Sequence, residues 1–512
     1  MATEVTKTVS SKVVQPLLTV TRQQNFSEWY REVLAKADLA EPSAVRGCMV
    51  INPWGYGIWE QIQQQMDALF KREKCCKNAY FPLFIPTEFF AAEAEHVAGF
   101  AKECAVVTHY RMKMENGKMI PDPAAKLEKP LIVRPTSETI IGDSMRQKIQ
   151  SYRQLPLLLN QWCNVVRWEH ETKPFLRTTE FLWQEGHCAF ANEAEARANA
   201  YKMGQVYRTF MTQYCALPVI LGEKSPAERF AGAVQTYCLE AMMQDGKAVQ
   251  AGTSHYLGQN FAKAAKIEFT DEKGLKQLVH TTSWGVSTRL VGTLIMAHSD
   301  DDGLRVPPRL ALHHAVIIPS GHVEKEKRDD YISKVEKLFE NARFANRDVS
   351  VEVDARGMHP AEKNFEWIRK GVPLRLEIGA REANEETVTV RRRDQHWKEK
   401  STVLKINELV PYVIKTLGEI QQNYYMQAEE FLRSHIREDI TTLEQLQKFF
   451  SDPANIGFVK AKWGGNRVAE ERLKDDFKVT IRCILSEQSG TQGTCVLTGE
   501  PAKLDVIFGK SY

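Results

Sequence analysis

The sequence predicts three successive units: an α+β domain built on an antiparallel sheet (residues 1–305), a small α/β domain (306–418), and a linker helix with a small α+β domain (419–512). Three observations carry this. Two strand-like runs, 157–169 and 180–190, flank a loop of hairpin length, Glu171-Thr-Lys-Pro-Phe-Leu-Arg-Thr178. Beyond Val306-Pro-Pro-Arg309, strand and helix patterns alternate over roughly 100 residues, as in an α/β unit. A charged, helical stretch from Glu419 to His435 then leads to the last stretch.

At 512 residues the chain exceeds one core, since domains run to roughly 150 residues. Its 43% hydrophobic and 26% charged content is that of an ordinary globular protein and excludes fibrous and disordered classes. A net charge of +3 is only permissive for nucleic acid, because a basic patch can sit in one domain of a near-neutral chain. No run of 18 apolar residues occurs and Met1–Gln15 lacks the apolar core of a secretory signal, so the reading is cytoplasmic with no membrane span. The ten cysteines include no C-x-x-C pair and read as reduced core fillers, Cys75 and Cys76 included.

Each element follows from its own pattern. Ile58, Ile62, Met66, Leu69 and Phe70 fall at helical spacing after Pro53, which suits a first turn. The aromatic, proline-bearing segment Asn78–Pro86 suits an edge or interface strand. In the two long strands alternation puts Cys163, Val165, Arg167 and Glu169 on one face, and Trp183, Glu185 and His187 on another. Asn192–Tyr214 reads as helix, and Ser283–Arg289 as a strand entering the helix 290–298. In the α/β unit His314–Pro319, 349–353 and 372–378 read as strands and 325–345 as helix. The last stretch ends in the apolar-bearing segments 478–485 and 505–512.

Arg167, Arg177 and Arg289 can share one pocket on such a sheet, and three guanidiniums suit a polyphosphate, since each donates a fixed fork of hydrogen bonds and stays charged. Any one alone reads more simply as solvated or paired with an acid such as Glu169. Phe230 and Trp284 read equally as core, whereas Trp183, Glu185 and His187 share a face that a core would not want charged.

The order of helix, proline-bearing strand, Arg-x-Glu with its loop, and strand ending in arginine before a helix resembles the signature motifs of class II aminoacyl-tRNA synthetases. Within that class Arg134-Pro-Thr-Ser-Glu-Thr139, Asn160–Glu169, Pro174-Phe-Leu-Arg-Thr178, Glu180–His187 and Gly252–Phe261 resemble prolyl-tRNA synthetases of the archaeal and eukaryotic-like type, over almost the whole chain.

The resemblance implies proline, ATP with Mg2+, and tRNA(Pro) as partners, and a homodimer formed partly by the helix after Pro53 and the strand around Pro82. Thr136 and Glu138 would hold the imino group, and Arg167 the carboxylate and α-phosphate. Trp183, Glu185, His187, Phe230, His255 and Trp284 would shape the ring pocket. Trp168, Glu169, Arg177, Thr178, Phe181, Gln250, Thr253, Ser287 and Arg289 would meet ATP, with Gln250 also toward Mg2+ and Phe181 on adenine. By the same resemblance Arg167 and Arg289 would be the catalytic pair, acting by positioning and charge neutralisation without a general base.

Two departures from the family pattern matter. Fewer than about 100 residues separate His187 from Trp284, leaving no room for an editing insertion. A proline-sized pocket then misactivates alanine or cysteine, since one or two methylenes are worth only about 1–3 kcal/mol. Only Cys483 and Cys495 stand where relatives often hold zinc through four cysteines, with Trp463-Gly-Gly-Asn466 in place of the first pair, so no zinc is expected. Tyr512 matches the final tyrosine of that branch. In the unit resembling an anticodon-binding domain, Arg375 and Glu382 fit RNA contacts, Ile368 replaces an expected acid, and the run Arg391-Arg-Arg393 reads mainly as a solvated face. Of the other subclass members, such as threonyl or histidyl enzymes, the threonyl enzyme needs a pocket zinc whose Cys and His ligand set is missing here, and a catalytically silent paralogue would have lost its motif arginines.

Overall fold

The computed structural model describes residues 17–91, 103–321 and 325–512; the leading segment Met1–Gln15 lies outside the described residues. Helix α1 (Pro53–Arg72) carries Pro53 in its first turn and buries Ile58, Ile62, Met66, Leu69 and Phe70, as the periodicity requires. The aromatic segment after it is two short strands, β1 (Lys77–Asn78) and β2 (Phe84–Pro86). Pro82 between them has no N–H to offer a ladder, which is why one long strand does not form.

After α2 (Glu138–Lys148), strands β3 (Leu157–Val166) and β4 (Glu180–Phe190) pair antiparallel, with Trp183 opposite Cys163 and Glu185 opposite Gln161. β3 stops at Val166, short of the expected Glu169. Arg167 still donates its N–H to the Thr179 carbonyl at 2.8 Å, so the hairpin holds it in place. Helix α3 (Glu193–Gln213), capped by Asn192, leads to β5 (Ile220–Glu223), β6 (Gln235–Met242), β7 (Ala248–Gly258) and β8 (His280–Ser287), and α4 (Arg289–His298) follows directly. The strands lie in the order β5-β6-β7-β8-β4-β3-β1.

One face of this sheet is covered by helices. There Trp284 of β8 packs edge-on to Phe70 at 5.2 Å and to Tyr207 at 6.2 Å, and it lies over Gly186, where a Cβ would meet the indole at 2.1 Å. The Trp284 ring therefore packs into the core of the helix side. Alternation explains it: Ser283, Gly285 and Ser287 turn the other way.

In the second unit β9 (Ala315–Pro319), α5 (Lys325–Lys337), β10 (Val351–Val353), α6 (Pro360–Arg369), β11 (Leu374–Ile378), β12 (Thr387–Arg392) and β13 (Thr402–Lys405) form a mixed sheet in the order β10-β9-β11-β12-β13. α5 ends well before Ala345, because Ala345 and Asn346 both take positive φ and turn a hairpin between Arg343–Phe344 and Arg347–Asp348.

Helix α7 (Leu409–Ser434) runs unbroken across the expected boundary at 418. Pro411 lies in its first turn, where no helical N–H is lost, and Leu409, Val413, Leu417, Ile420 and Tyr424 bury against the α/β core. Then come β14 (Ile436–Arg437), β15 (Phe458–Trp463), β16 (Thr480–Leu485) and β17 (Leu504–Gly509). β16 pairs with β5, Gly222 opposite Leu485, so the last unit extends the first sheet to eleven strands. Gly222 permits the approach, since a Cβ there would lie 2.4 Å from the Ile484 carbonyl. Cys483 lies in this seam with Cys238, whereas Cys495 packs near Gly464 in the last unit's own core, so the two thiols sit in different clusters.

The basic run at the end of β12 is not a solvated face, which corrects that expectation. Arg393 is 2% exposed and grips Asp300, just past α4, with Nη1 at 2.9 Å and Nη2 at 2.5 Å. Its Nε and Nη2 also donate to the carbonyls of Ile368 and Gly303. Arg392 pairs with Asp394 and Glu419, and Arg391 with Glu377. The acids that consume these charges are scattered along the chain, so the run looked free in sequence. Breaking such a buried pair from one side strands a charge and costs about 3–5 kcal/mol. Arg393→Ala is expected to lose about that much in urea unfolding, and adding Asp300→Ala to it to recover part of the loss.

Candidate active site

A cavity of about 290 Å3 opens on the sheet face opposite the helices. Thr136 and Glu138 enter it from the start of α2; the Thr136 hydroxyl donates to Glu138 Oε2 at 2.5 Å. Arg134 holds this turn from behind, its guanidinium bound to the Phe81 and Asn164 carbonyls and to Asn164 Oδ1. β4 contributes Phe181, Trp183, Glu185 and His187 by strict alternation. From the facing strands and loop come Phe230, Gln250, Thr253, His255 and Ser287, with Arg289 at the start of α4.

Glu185 is 2% exposed. Burial pushes its carboxyl up, but His187 Nε2 at 2.9 Å, together with Ser137 and Gln161, outweighs burial and leaves it below the usual carboxylate range. Burial likewise pulls His187 down, and the hydrogen bond and charge of Glu185, with Glu138 beyond, more than offset this, so His187 titrates above its ordinary value. His255 differs. Burial, with the nearby charge of His187, lowers it to about 3, and its Nδ1 lies 3.0 Å from Thr236 Oγ1. The cavity thus holds one buried hydrogen-bonded carboxylate–imidazole pair, Glu185 and His187, and one imidazole kept neutral, His255, with Phe230 against the latter at 4.8 Å.

Arg167 lies 5.5 Å from the Phe181 ring and 5.4 Å from the Trp183 ring, and its Nε donates to the Pro135 carbonyl at 3.0 Å. Burial depresses its pKa, with Glu138, Glu185 and Glu169 opposing. Arg289 Nε donates to the Leu176 carbonyl at 3.0 Å, which ties the β3–β4 loop to α4. Arg177 is half exposed, 3.9 Å from Glu169. Glu138 and Glu185 thus share one cavity with Arg167 and Arg289, carboxylates beside guanidiniums.

Not every expected residue lines this cavity. Trp168 is 53% exposed, and Thr178 is buried with its hydroxyl donated to the Glu180 carbonyl. Trp284 contributes to the wall from strand β8, but its ring is in the core. Sequence reasoning missed Ser137, Gln161 and Thr236, which orient Glu185 and His255; Gln161 was findable, two places before Cys163 on the face shared with Glu185. It also missed Lys224 and Arg482, whose link through Glu240 joins units far apart in the chain. Tyr512 docks at the rim, its hydroxyl donating to Asp245 at 2.6 Å between Lys173 and Lys247.

In the α/β unit a cleft of about 530 Å3 is floored by Arg375 and flanked by Trp397. Arg375 Nε donates to Asn364, while its buried Nη1 has no partner among the described residues. Burial, with Arg393 and Arg391, lowers it to about 9. Ile368, where an acid was expected, lines the same cleft. Glu382 is otherwise engaged: it accepts from Gly379 N–H at 3.0 Å, from Thr389 and from Arg381, capping the helix Ala380–Glu385.

Residues 120–298 match the tRNA synthetase class II core domain (G, H, P, S and T), 314–416 an anticodon binding domain, and 448–512 the prolyl-tRNA synthetase C-terminal domain. The chain is 53% identical to the proline–tRNA ligase of Protochlamydia amoebophila, covering 97% of this chain and 98% of that one. It is 51% identical to proline–tRNA ligase 2 of Anaeromyxobacter dehalogenans (96% and 98% covered) and 49% to the proline–tRNA ligase of Bdellovibrio bacteriovorus (97% and 99%).

The Glu185–His187 pair has a defined pH signature. His187, raised above 6.5, stabilises the fold fully below that pH and loses its contribution as pH climbs through the raised value. Glu185, lowered from 4.5, contributes above 4.5 and loses it as pH falls further. The melting temperature of His187→Gln is therefore expected to lag wild type most between pH 4.5 and 6.5, with the gap narrowing at alkaline pH.

Proposed function

We propose that this chain, which belongs to the proline–tRNA ligase family of class II synthetases, joins proline to ATP as prolyl-adenylate with loss of pyrophosphate, then transfers proline to the 3′ end of tRNA(Pro). The observation that carries the reading is the single cavity in which Glu138 and Glu185 face Arg167 and Arg289. It offers an ammonium site beside a phosphate site, with aromatic walls between.

In this reading Thr136 and Glu138 accept the two N–H bonds of the proline ammonium, and Trp183, Phe230 and His255 pack on the ring methylenes beside it. His187 and Glu185 set the depth of the pocket. Arg167 neutralises the carboxylate and α-phosphate as they approach, and Phe181 stacks on adenine. Ser287 and Thr253 line the nucleotide side, Arg289 and Arg177 its phosphate end, and Glu169 orients Arg177. Attack of a carboxylate on phosphorus needs alignment and charge neutralisation more than proton transfer.

Magnesium binds through few protein oxygens and several phosphate oxygens. Gln250, lining the cavity at the phosphate end, fits as an amide-oxygen ligand; among the described residues no three His, Cys, Asp or Glu cluster as a metal site. When bound, the ion would spread charge over the phosphates.

The Arg375 cleft, with its unpaired buried donor and Trp397, is the reading for anticodon contact in the 306–418 unit. A homodimer through the region of β2 and the end of α1 is supported by exposed Tyr80, Phe84, Val106 and Tyr110. No helix among the described residues is long and apolar enough to cross a membrane, and the ten free thiols suit a reducing, cytoplasmic setting.

The test is ATP–pyrophosphate exchange across amino acids. Exchange strongest with proline is expected, with weaker exchange from alanine and cysteine; none with any amino acid from folded protein rejects the reading. Arg167→Ala is expected to cut kcat by about 100- to 1,000-fold. Glu138→Gln should act chiefly on KM for proline.

A further inference from the structure

We infer that Arg482, from the last unit of the chain, helps seat the polyphosphate tail of ATP and the pyrophosphate it becomes, in a second cavity beside the main one. This deepens the reading above and rests on it. The second cavity, about 180 Å3, shares Gln250 and Arg289 with the first. Lys173, Arg177, Arg289 and Arg482 line it with one acidic side chain, Glu171, and with Tyr512.

Arg482 reaches this wall only because β16 extends the first sheet through β5. Its side chain is 8% exposed and fixed on three sides: Nε donates to Glu240 Oε2 at 3.0 Å, Nη2 forms an ion pair with the same oxygen at 2.9 Å, and Nη1 donates to Thr480 Oγ1 at 2.9 Å. Glu240 also accepts from Lys224 at 2.8 Å, so one buried carboxylate answers two cations. The cluster keeps a positive surplus beside Arg289. Burial lowers Arg289 to about 10, with Arg167 and Arg177 adding to the effect, Glu240 opposing and Arg482 adding again. An anion placed among these groups relieves their mutual repulsion.

The chemistry leaves such an anion there. A proline carboxylate oxygen forms the new bond to the α-phosphorus, the bond from that phosphorus to the bridging oxygen breaks, and its electron pair departs on pyrophosphate. No redox change or proton transfer is needed. Cations set beyond Arg289 would meet the charge that grows on the leaving group.

The experiment compares wild type with Lys173→Ala and Arg482→Lys in exchange at varied pyrophosphate, and in thermal melts with and without sodium pyrophosphate. Loss of one charge-assisted hydrogen bond corresponds to about tenfold or more in affinity. The KM for pyrophosphate is expected to rise by about that factor, with KM for proline within about twofold, and the thermal shift from pyrophosphate to shrink in both variants. Unchanged KM and unchanged thermal shift overturn the inference. Lys173 is exposed on a loop, so Lys173→Ala decides even if Arg482→Lys fails to fold. Wild type that is shifted by pyrophosphate yet shows no exchange would reject the enzymatic reading while sparing the anion seat.

Discussion

A buried carboxylate that must stay ionised governs the site. Glu185 lies almost wholly out of water, where an unpaired charge would cost several kcal/mol. Its two oxygens are therefore saturated: His187 takes one, and Ser137 and Gln161 the other. Each partner comes from a different element, so the charge fixes β3, β4 and the turn before α2 relative to one another. That rigidity is what an ammonium and a phosphate need if they are to meet in line.

A second constraint is how the units are joined. The first and last share one sheet through β5 and β16, with Glu240 shared by Lys224 and Arg482 across the seam. The α/β unit is held by Arg393 on Asp300 and by Trp54, whose Nε1 donates to the Lys370 carbonyl at 3.0 Å. Asp300 follows α4, which begins with Arg289, so the anchor of the α/β unit and an arginine lining the cavity sit at opposite ends of one short helix. A unit so attached is placed by ion pairs as well as by linkers.

Local pattern carried most of the sheet and its site. The hairpin of β3 and β4, the helical stripe after Pro53 and the alternation of Trp183, Glu185 and His187 were legible because period and turn chemistry are local. What was illegible depends on partners distant in sequence. Arg393 reads as surface until Asp300 is seen beside it. Trp284 could face either side of β8 until Gly186 opened room on the helix side. The end of α5 was missed because positive φ at Ala345 and Asn346 is set by the hairpin they turn. Glu382 resembles an RNA contact in its motif, yet its oxygens are engaged in capping.

Selectivity follows from the same geometry. Thr136 and Glu138 would grip an ammonium that every amino acid carries, so they rank none above another. In that reading discrimination would fall to Trp183, Phe230 and His255, apolar or neutral surfaces against which proline exceeds alanine by two methylenes. Such walls exclude larger side chains by overlap, which is steep, but reject smaller ones only by lost contact, worth about 1–3 kcal/mol. A neutral His255 suits this wall, since a charged imidazole beside His187 would add repulsion without adding contact. Between β4 and β8 the chain runs through α3, β5, β6 and β7, then a short helix (Asn260–Ala265) and a separate two-stranded hairpin (Glu268–Thr270 with Lys276–Leu278). Walls of this kind would discriminate by shape, and shape favours rejecting what is too large.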